Sequence, residues 1–136
     1  MKGEIQLIFK VDGKERELNF GVRFVAELDE TEKYSTEGIE FGMGLVLTQQ
    51  KLEMGNLGAL AKIIKYALYK YNFTLDEIYD ALDEYAEEKD LGVLIEKVEG
   101  ELKNSNAVQT ALAGMEKLQK EAKRKQGVQA VKPTKK

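Results

Sequence analysis

The sequence predicts an α+β fold that is mostly α, with an N-terminal β-hairpin followed by five or six helices. Three observations support this prediction. Polar and apolar residues alternate with the period of a strand around Asp12-Gly13, the period becomes helical after Phe20, and helix-capping signals recur along the remaining chain. Neither βαβ alternation nor an internal repeat is visible, which favours this class over a parallel α/β fold.

The predicted hairpin lies between residues 4 and 20. Asp12-Gly13 favours a two-residue type I′ turn, because both central residues of that turn need a positive φ. Such a turn fixes the register, and the predicted cross-strand pairs are Val11 with Lys14, Leu7 with Leu18, and Ile5 with Phe20. Apolar side chains then share one face, which is expected to cover the helices because an isolated hairpin is marginally stable.

A helix is predicted next, from about Gly21 to Tyr34. The residues of its apolar stripe are Val22, Phe24, Val25 and Leu28. The segment "KYSTEG" interrupts the stripe. A second apolar segment follows, with Ile39, Phe41, Met43, Leu45, Val46, Leu47 and Leu52.

Capping residues predict the two helices in the middle of the chain. Asn56 precedes an apolar stripe that runs from Leu57 to Leu68. The sequence of residues 74–77, Thr-Leu-Asp-Glu, is a capping box, and Phe73 and Ile78 flank it with the spacing of a hydrophobic staple.

Two more helices complete the prediction. One starts at Asp90 and ends near Gly100, and the other is capped by Asn106 and frays before Gly127. The predicted organisation is a hairpin and helical body over residues 1–104, a C-terminal helix over residues 105–125, and a disordered basic tail over residues 126–136.

The amino-acid composition limits the kinds of function that this chain can have. The chain has 136 residues and no histidine or cysteine, which excludes His–Cys metal sites and Ser–His or Cys–His nucleophilic pairs. Carboxylates, lysines and tyrosines remain, and each needs a strongly shifted pKa to work near neutral pH. We therefore expect a protein that is not an enzyme and that needs no cofactor. The lack of a long apolar run or a signal-peptide pattern predicts a soluble intracellular protein.

Gly42-Met43-Gly44 is the one stretch that resembles a phosphate-binding loop. A dinucleotide fingerprint needs a third glycine at position 47, where this chain has Leu47, and the Gly-Lys-Ser/Thr end of a P-loop is missing. The favoured interpretation is that these glycines allow two helices to approach closely or allow a kink.

Acidic residues concentrate on the predicted helix after Thr74: Asp76, Glu77, Asp80, Asp83, Glu84, Glu87 and Glu88. A solvated outer face is the favoured interpretation, because these residues alternate with an apolar stripe. A carboxylate enzyme that uses Asp80 and Glu84 with a metal ion is a less favoured alternative.

The charge of the chain is divided unevenly. Residues 1–116 carry 13 Lys and Arg against 23 Asp and Glu, a net charge of −10, whereas residues 117–136 carry 8 basic residues and one acid, a net charge of +7. The basic end favours a helix that lies against another protein or exchanges between subunits. The alternative is a small nucleic-acid-binding regulator that uses this basic segment.

Three segments carry a family resemblance: "FKVDGKERELNFGVRFVAELDE", "EGIEFGMGLVL" and "GNLGALAKIIKYAL". Over roughly residues 5 to 88 the chain resembles the tail assembly chaperones of long-tailed phages (siphoviruses) and prophages of Gram-positive bacteria. The resemblance implies a non-enzymatic protein of the host bacterial cytoplasm. Such a protein binds the tape measure protein, helps recruit the tail tube protein during virion morphogenesis, and is absent from the mature virion.

The resemblance also implies a longer form made by a translational frameshift, with this chain as the shorter form. Self-association stays open, no membrane is expected, and nucleic acid is the less favoured partner. The first candidates to bind the tape measure protein are Phe41, Met43, Leu45 and Leu47, and the second are Met54, Tyr66 and Tyr69. The alternative for most of them is a place in the core, since amphipathic stripes usually are core.

Overall fold

The computed structural model describes residues 7–130, and for residue 36 and residues 122–130 it describes the backbone alone. Its elements are β1 (Ile8–Val11), β2 (Lys14–Glu17), α1 (Val22–Asp29), β3 (Lys33–Thr36), β4 (Ile39–Gly42), α2 (Gly44–Glu53), α3 (Leu57–Ala67), α4 (Leu75–Glu88), α5 (Leu91–Asn104) and α6 (Asn106–Ala130). The predicted α+β class with a mostly helical body is confirmed. None of the helices in the described part of the chain is long and apolar enough to cross a membrane.

The register of the first hairpin is the predicted one. Val11 pairs with Lys14, and the Leu18 amide donates to the Leu7 carbonyl oxygen at 2.9 Å. The turn at Asp12-Gly13 has a positive φ at both residues, 56° and 74°. A type I′ turn therefore sets the register, as the sequence indicated.

One face of this hairpin covers the helical body. Phe9, Val11 and Leu18 are buried, and the Phe9 ring lies 6.0 Å from the ring of Tyr85 on α4. The predicted pairing of Ile5 lies outside the described residues.

A second hairpin replaces the end of the first predicted helix. Helix α1 ends at Asp29 rather than Tyr34, and Lys33–Thr36 pairs antiparallel with Ile39–Gly42. The turn between these strands is Glu37-Gly38, with φ values of 51° and 77°. Glutamate is an uncommon residue at positive φ. The segment also lacks the Asn-Gly or Asp-Gly pair that marks such a turn, so the sequence did not predict this hairpin.

Helix α1 buries a narrower stripe than the sequence predicted. Phe24 and Leu28 are fully buried and Val25 is half-buried, but Val22 is 76% exposed. Val22 is the first residue of the helix and lies at the edge of the body, so helical spacing alone overestimated the apolar face.

The predicted caps of the middle helices are confirmed. Asn56 Oδ1 accepts a hydrogen bond from the Ala59 amide at 2.7 Å. Thr74 Oγ1 accepts from the Glu77 amide at 3.1 Å, while Glu77 Oε1 accepts from the Thr74 amide at 2.8 Å, which completes the capping box. Asp90 caps α5, also as predicted.

The junction of α5 and α6 differs from the prediction in two ways. Helix α5 continues past Gly100, and Ser105 rather than Asn106 caps α6. Ser105 Oγ accepts from the Val108 amide at 3.1 Å and donates to the Phe20 carbonyl oxygen at 2.6 Å. The hydroxyl group thus ties the start of α6 to the end of the first hairpin, a contact across 85 residues that sequence spacing cannot show.

Helix α6 runs to Ala130, beyond the predicted fraying before Gly127. A glycine inside a helix costs about 1 kcal/mol relative to alanine, which weakens a helix without ending it. The predicted division into body, C-terminal helix and tail stays a prediction, and residues 131–136 of that tail lie outside the described residues.

The core is one cluster of buried side chains around α3. Helices α1, α2 and α4 pack against α3, β1 packs against α4, and the first part of α6 packs against α1, α2 and α5. The buried residues of α3 are Ala59, Leu60, Ala61, Ile63, Ile64 and Ala67. Because α2 packs against α3 with one side, this contact determines which residues of α2 lie on the opposite side.

Candidate partner-binding surface

The glycine pair before α2 serves close packing. A Cβ atom on Gly44 would overlap the carbonyl oxygen of Leu28 and would lie 2.6 Å from Thr31 Oγ1. A Cβ atom on Gly42 would lie 2.8 Å from that of Asp29. The packing interpretation is therefore confirmed, because both glycines let the start of α2 contact the end of α1.

Asp29 occupies the position where a phosphate-binding loop would hold its anion. Asp29 Oδ1 accepts a hydrogen bond from the Leu45 amide, in the first turn of α2, at 3.0 Å. The carboxylate caps a helix that starts 15 residues later in the chain, and it satisfies an amide that has no partner inside the helix. This cap fixes how α2 leaves the second hairpin.

The pKa of Asp29 is raised above its ordinary value of 3.8. Burial is the main cause, the charge of Glu30 adds to it, and the hydrogen bond from Leu45 opposes it. A raised pKa in the folded state means that this carboxyl group favours folding most below pH 3.8, and that its contribution falls as the pH rises through the raised value.

Replacing Asp29 with asparagine tests this pH dependence of stability, because asparagine keeps an acceptor oxygen and removes the charge. We expect Asp29→Asn to gain stability relative to the wild type as the pH rises from about 3 to 7, the range over which the wild-type carboxyl group ionises. Asp29→Ala removes the charge and also the acceptor oxygen, and it is expected to have a free energy of unfolding about 1 kcal/mol lower than that of Asp29→Asn at every pH. Urea unfolding of the three proteins across this range measures both effects, and a constant difference between Asp29→Asn and the wild type would contradict the account.

Helix α2 is apolar on two opposite sides. The core side consists of Leu45, Thr48 and Leu52, which are buried. The opposite side consists of Met43, Leu47 and Met54, which follow one another at spacings of four and seven residues, with the exposed Gln50 between Leu47 and Met54. Met43 and Leu47 are half-buried and Met54 is 83% exposed. An amphipathic helix at a protein surface normally has a polar outer side, so these apolar residues are candidates for contact with a partner.

We call Phe41, Met43, Leu47 and Met54 the α2 surface. Phe41 precedes the helix on β4, is half-buried, and lies across the hairpin from Tyr34. The backbone of the loop is held by a hydrogen bond from the Met43 amide to the Glu32 carbonyl oxygen at 2.7 Å. The surface thus lies on a helix with a fixed start, rather than on a free loop.

A groove of about 310 Å³ borders the α2 surface, between α2 and α6. Val46, Leu112, Ala113 and Met115 supply its apolar lining, and its polar lining consists of Gln49, Gln50, Gln109, Gln119 and the carboxylate of Glu116. Gln50 lies between the groove and the α2 surface on the helix. Apolar side chains together with amides that can donate and accept hydrogen bonds, and one carboxylate, suit a peptide segment better than an anionic ligand.

The remaining predicted candidates lie elsewhere. Leu45 is 1% exposed and belongs to the core, where a partner cannot reach it without moving α2. Tyr69 follows α3 and lies beneath the Arg23 guanidinium group, 4.7 Å from the ring centre. Tyr66 packs against the core from α3. The structure therefore places Met43, Leu47 and Met54 along one side of α2, with Phe41 just before it on β4, and it places the other three elsewhere.

Sequence reasoning missed two apolar residues on the second hairpin. Tyr34 is 58% exposed and Ile39 is 56% exposed. Residues at alternate positions of a strand lie on the same face, so Ile39 shares a face with Phe41 and with the Phe41 partner Tyr34. The strand period would have identified this face if the Glu37-Gly38 turn had been recognised.

The acidic residues of α4 form a solvated face, as predicted. All seven carboxylate side chains of the helix are exposed, Asp80 and Glu84 included. Within the described residues, no group of three or more acidic side chains is close enough to hold a metal ion. Among the described residues, Asp80 and Glu84 therefore belong to no such group of three.

A model of the family described as phage tail assembly chaperone protein, TAC, matches residues 8–117. Comparison with curated proteins finds no match, and comparison with solved structures finds none either. The family match covers most of the chain, from the first hairpin into α6, and includes the α2 surface. It confirms the resemblance found in the sequence: this chain belongs to the family of phage tail assembly chaperones.

Proposed function

We propose that this tail assembly chaperone binds the tape measure protein through the α2 surface and helps recruit the tail tube protein during virion assembly. Family membership supports a role with tail proteins. The observation that carries the proposal is the second apolar side of α2, which the fold of this chain covers only in part. The proposed place of action is the cytoplasm of the host bacterium, before the virion is complete.

The dimensions of the α2 surface suit a helical partner. Met43 and Met54 are 11 residues apart, which corresponds to about 16 Å along a helix, or about three turns. A helix that lies along this strip would offer apolar residues at three- and four-residue spacing, as helices bound in grooves do. A long tape measure helix carries such stripes before the tail tube encloses it. Methionine side chains adapt to different apolar surfaces, which suits a chaperone that meets successive turns of one long helix.

The small size of the surface also fits a transient role. Four side chains and the neighbouring groove form a limited contact, and small interfaces are typical of weak and reversible complexes. Such a complex can be displaced when tail tube protein assembles around the tape measure protein. We extend the proposal to absence from the mature virion for this reason.

The proposal includes a longer form made by translational frameshift. Its added residues would follow α6, whose side chains from Glu116 to Glu121 are exposed. A segment placed there is separated from the α2 surface along the helix, so one molecule can hold the tape measure protein at α2 and the tail tube protein at its C-terminal end.

Co-expression with the tape measure protein of the same phage tests the proposal. We expect the wild-type chain to keep the tape measure protein in the soluble fraction and to co-purify with it. Met54→Asp is expected to weaken this binding about tenfold or more, because a desolvated carboxylate replaces an apolar contact. Met54 is 83% exposed, so this change leaves the fold intact.

Val93→Asp is the matched control, because Val93 is an exposed apolar residue on α5, 44% exposed and outside the α2 surface. Its binding to the tape measure protein is expected to equal that of the wild type. If the tape measure protein precipitates equally with and without this chain, the proposed function is wrong. If both Asp variants weaken binding alike, the function stands and the surface is misplaced.

A further inference from the structure

Arg16 on β2 is a half-buried arginine without an acidic partner among the described residues. The register of the first hairpin pairs it with the buried Phe9, so its side chain lies on the face that covers the helical body. Its neighbours Glu15 and Glu17 lie on the opposite face, because side chains alternate along a strand. The positive charge of Arg16 therefore meets no carboxylate in the described part of the chain.

Two aromatic rings hold the guanidinium group of Arg16. Its central carbon atom lies 4.7 Å from the ring centre of Tyr71 and 5.3 Å from that of Phe73. The two rings stack on each other, with 5.6 Å between their centres and 21° between their planes. An aromatic ring attracts the guanidinium group through its face and leaves the N–H groups at the edge of the group available to a ligand.

The segment between α3 and α4 positions these two rings. The Tyr71 amide donates a hydrogen bond to the Leu68 carbonyl oxygen at 3.0 Å, and Asn72 between the rings has a φ of 57°. Phe73 is buried and directly precedes the Thr74 cap of α4, whereas Tyr71 is 41% exposed and forms the outer edge of the pair. The site is thus built on a helix cap and a strand register rather than on a free loop.

The protein encloses part of the guanidinium group without supplying an acceptor for it. The Nε atom of Arg16 is buried and has no hydrogen-bond partner among the described residues, whereas the two terminal nitrogen atoms are not enclosed in this way. Buried donors without a partner are uncommon and cost free energy, so this arrangement calls for an explanation. The terminal N–H groups of a guanidinium form a planar fork that matches the two oxygens of a carboxylate.

We propose that Arg16, stacked on Tyr71 and Phe73, binds a carboxylate of a partner protein, either on an acidic side chain or at the end of a chain. Lys14 lies two positions earlier on the same face of β2 and adds a second positive charge. An apolar side chain next to the bound carboxylate would cover the exposed edge of the Tyr71 ring. Capture of a chain-terminal carboxylate is likewise a known mode of peptide recognition.

The charge of the surrounding body favours one carboxylate over a polyanion. Residues 1–116 carry 13 Lys and Arg against 23 Asp and Glu, a net charge of −10, which repels nucleic acid and anionic lipid surfaces. A single carboxylate on a protein segment meets far less of this repulsion. The site lies on β2 and the segment between α3 and α4, shares no residue with the α2 surface, and does not depend on binding of the tape measure protein there.

Nuclear magnetic resonance of the arginine Nε–H groups tests the proposal on the full chain. The arginines are Arg16, Arg23 and Arg124, and their signals can be assigned by single replacements with lysine. Arg23 is the internal control. Its guanidinium group also lies over a tyrosine ring, 4.7 Å from the centre of Tyr69, but its Nε–H group already donates to Glu27 at 2.6 Å.

The probes are three short peptides and inorganic phosphate, titrated at about pH 6, where a glutamate side chain is ionised. The first peptide is Gly-Leu-Glu-Leu-Gly with both ends blocked, and the second has Gln in place of Glu. The third is Gly-Leu-Leu with a blocked amino end and a free carboxyl end. We expect the Arg16 signal to shift with the first or the third peptide while the Arg23 signal stays in place. The peptide that causes the shift identifies the source of the carboxylate.

Arg16→Lys tests the fork of the guanidinium group, because lysine keeps the charge but has neither the planar fork nor the stacking on the rings. Binding of the carboxylate peptide, followed through the backbone amide signals of Tyr71 and Phe73, is expected to weaken about tenfold. Arg23→Lys is the matched control and is expected to bind like the wild type. Circular dichroism verifies that both variants keep their helices.

Four outcomes would overturn the proposal. The first is an Arg16 signal that neither carboxylate peptide changes, and the second is an equal shift of Arg16 and Arg23, which would indicate a non-specific effect of charge. The third is an equal response to the Gln peptide or to phosphate, which would mean that the site does not recognise a carboxylate. The fourth is an Arg16→Lys chain that binds as tightly as the wild type.

Discussion

Replacing Gly44 with alanine is expected to lower the free energy of unfolding by about 3 kcal/mol, because the added methyl group overpacks a closed contact. The new Cβ atom would overlap the Leu28 carbonyl oxygen and approach Thr31 Oγ1. The carbonyl belongs to α1 and cannot rotate away as a side-chain end would. The start of α2 has to move, and the hydrogen bond from the Leu45 amide to Asp29 is strained with it.

Gly100→Ala is the matched control for this prediction. Gly100 lies inside α5, and a Cβ atom built there meets nothing within 4 Å. Alanine is a better helix former than glycine, so this change is expected to raise the free energy of unfolding by about 0.5 to 1 kcal/mol. Urea unfolding followed by circular dichroism measures both. A Gly44→Ala protein as stable as the wild type would contradict the packing account of the glycine pair.

Phe24→Ala is expected to lower the free energy of unfolding by about 3 to 5 kcal/mol, the usual cost of removing a buried phenyl ring. Phe24 is fully buried, and its ring meets that of Phe20 edge to face at 5.1 Å. The ring joins the end of the first hairpin to α1, so its loss also loosens the contact between them.

Val22→Ala, two residues earlier on the same helix, provides the comparison. Val22 is 76% exposed, and its replacement is expected to change the free energy of unfolding by no more than about 0.5 kcal/mol. The sequence placed Val22 and Phe24 in one apolar stripe, whereas the structure separates them. Equal effects of the two substitutions would mean that α1 buries the wider face after all.

Local signals explain which parts of the fold could be predicted. The Asp12-Gly13 turn, the Asn56 cap and the Thr74 capping box each depend on residues within a few positions of one another. Their geometry is decided by the nearby chain, so sequence spacing was sufficient.

The wrong predictions about the fold involve contacts between residues far apart in sequence, or a residue in an uncommon backbone conformation. Ser105 contacts Phe20 across 85 residues and Asp29 caps a helix 15 residues away, and neither partner is visible in a short window. The Glu37-Gly38 turn places a glutamate at positive φ, which propensities disfavour. Packing between distant segments determines the contacts of Ser105 and Asp29. The second hairpin was not predicted because its turn has an unfavoured residue at positive φ.

The candidate surface could be located in sequence only as a segment. Residues 39–52 are apolar at too many positions for periodicity to separate a buried side of α2 from an exposed one. The contact with α3 decides this, since it buries Leu45 and Leu52 and leaves Leu47 and Met54 on the opposite side. Leu45 and Leu47 were therefore both predicted to bind the tape measure protein, although only Leu47 can meet a partner in this fold.

The most direct test of the α2 surface is nuclear magnetic resonance of methionine methyl groups, because the chain has four methionines. The signals of Met1, Met43, Met54 and Met115 can be assigned by single replacements with leucine. A soluble helical segment of the tape measure protein is then titrated into the labelled chaperone. We predict that the methyl signals of Met43 and Met54 shift or broaden as the complex forms. A complex that forms while the signals of Met43 and Met54 stay unchanged would contradict the account.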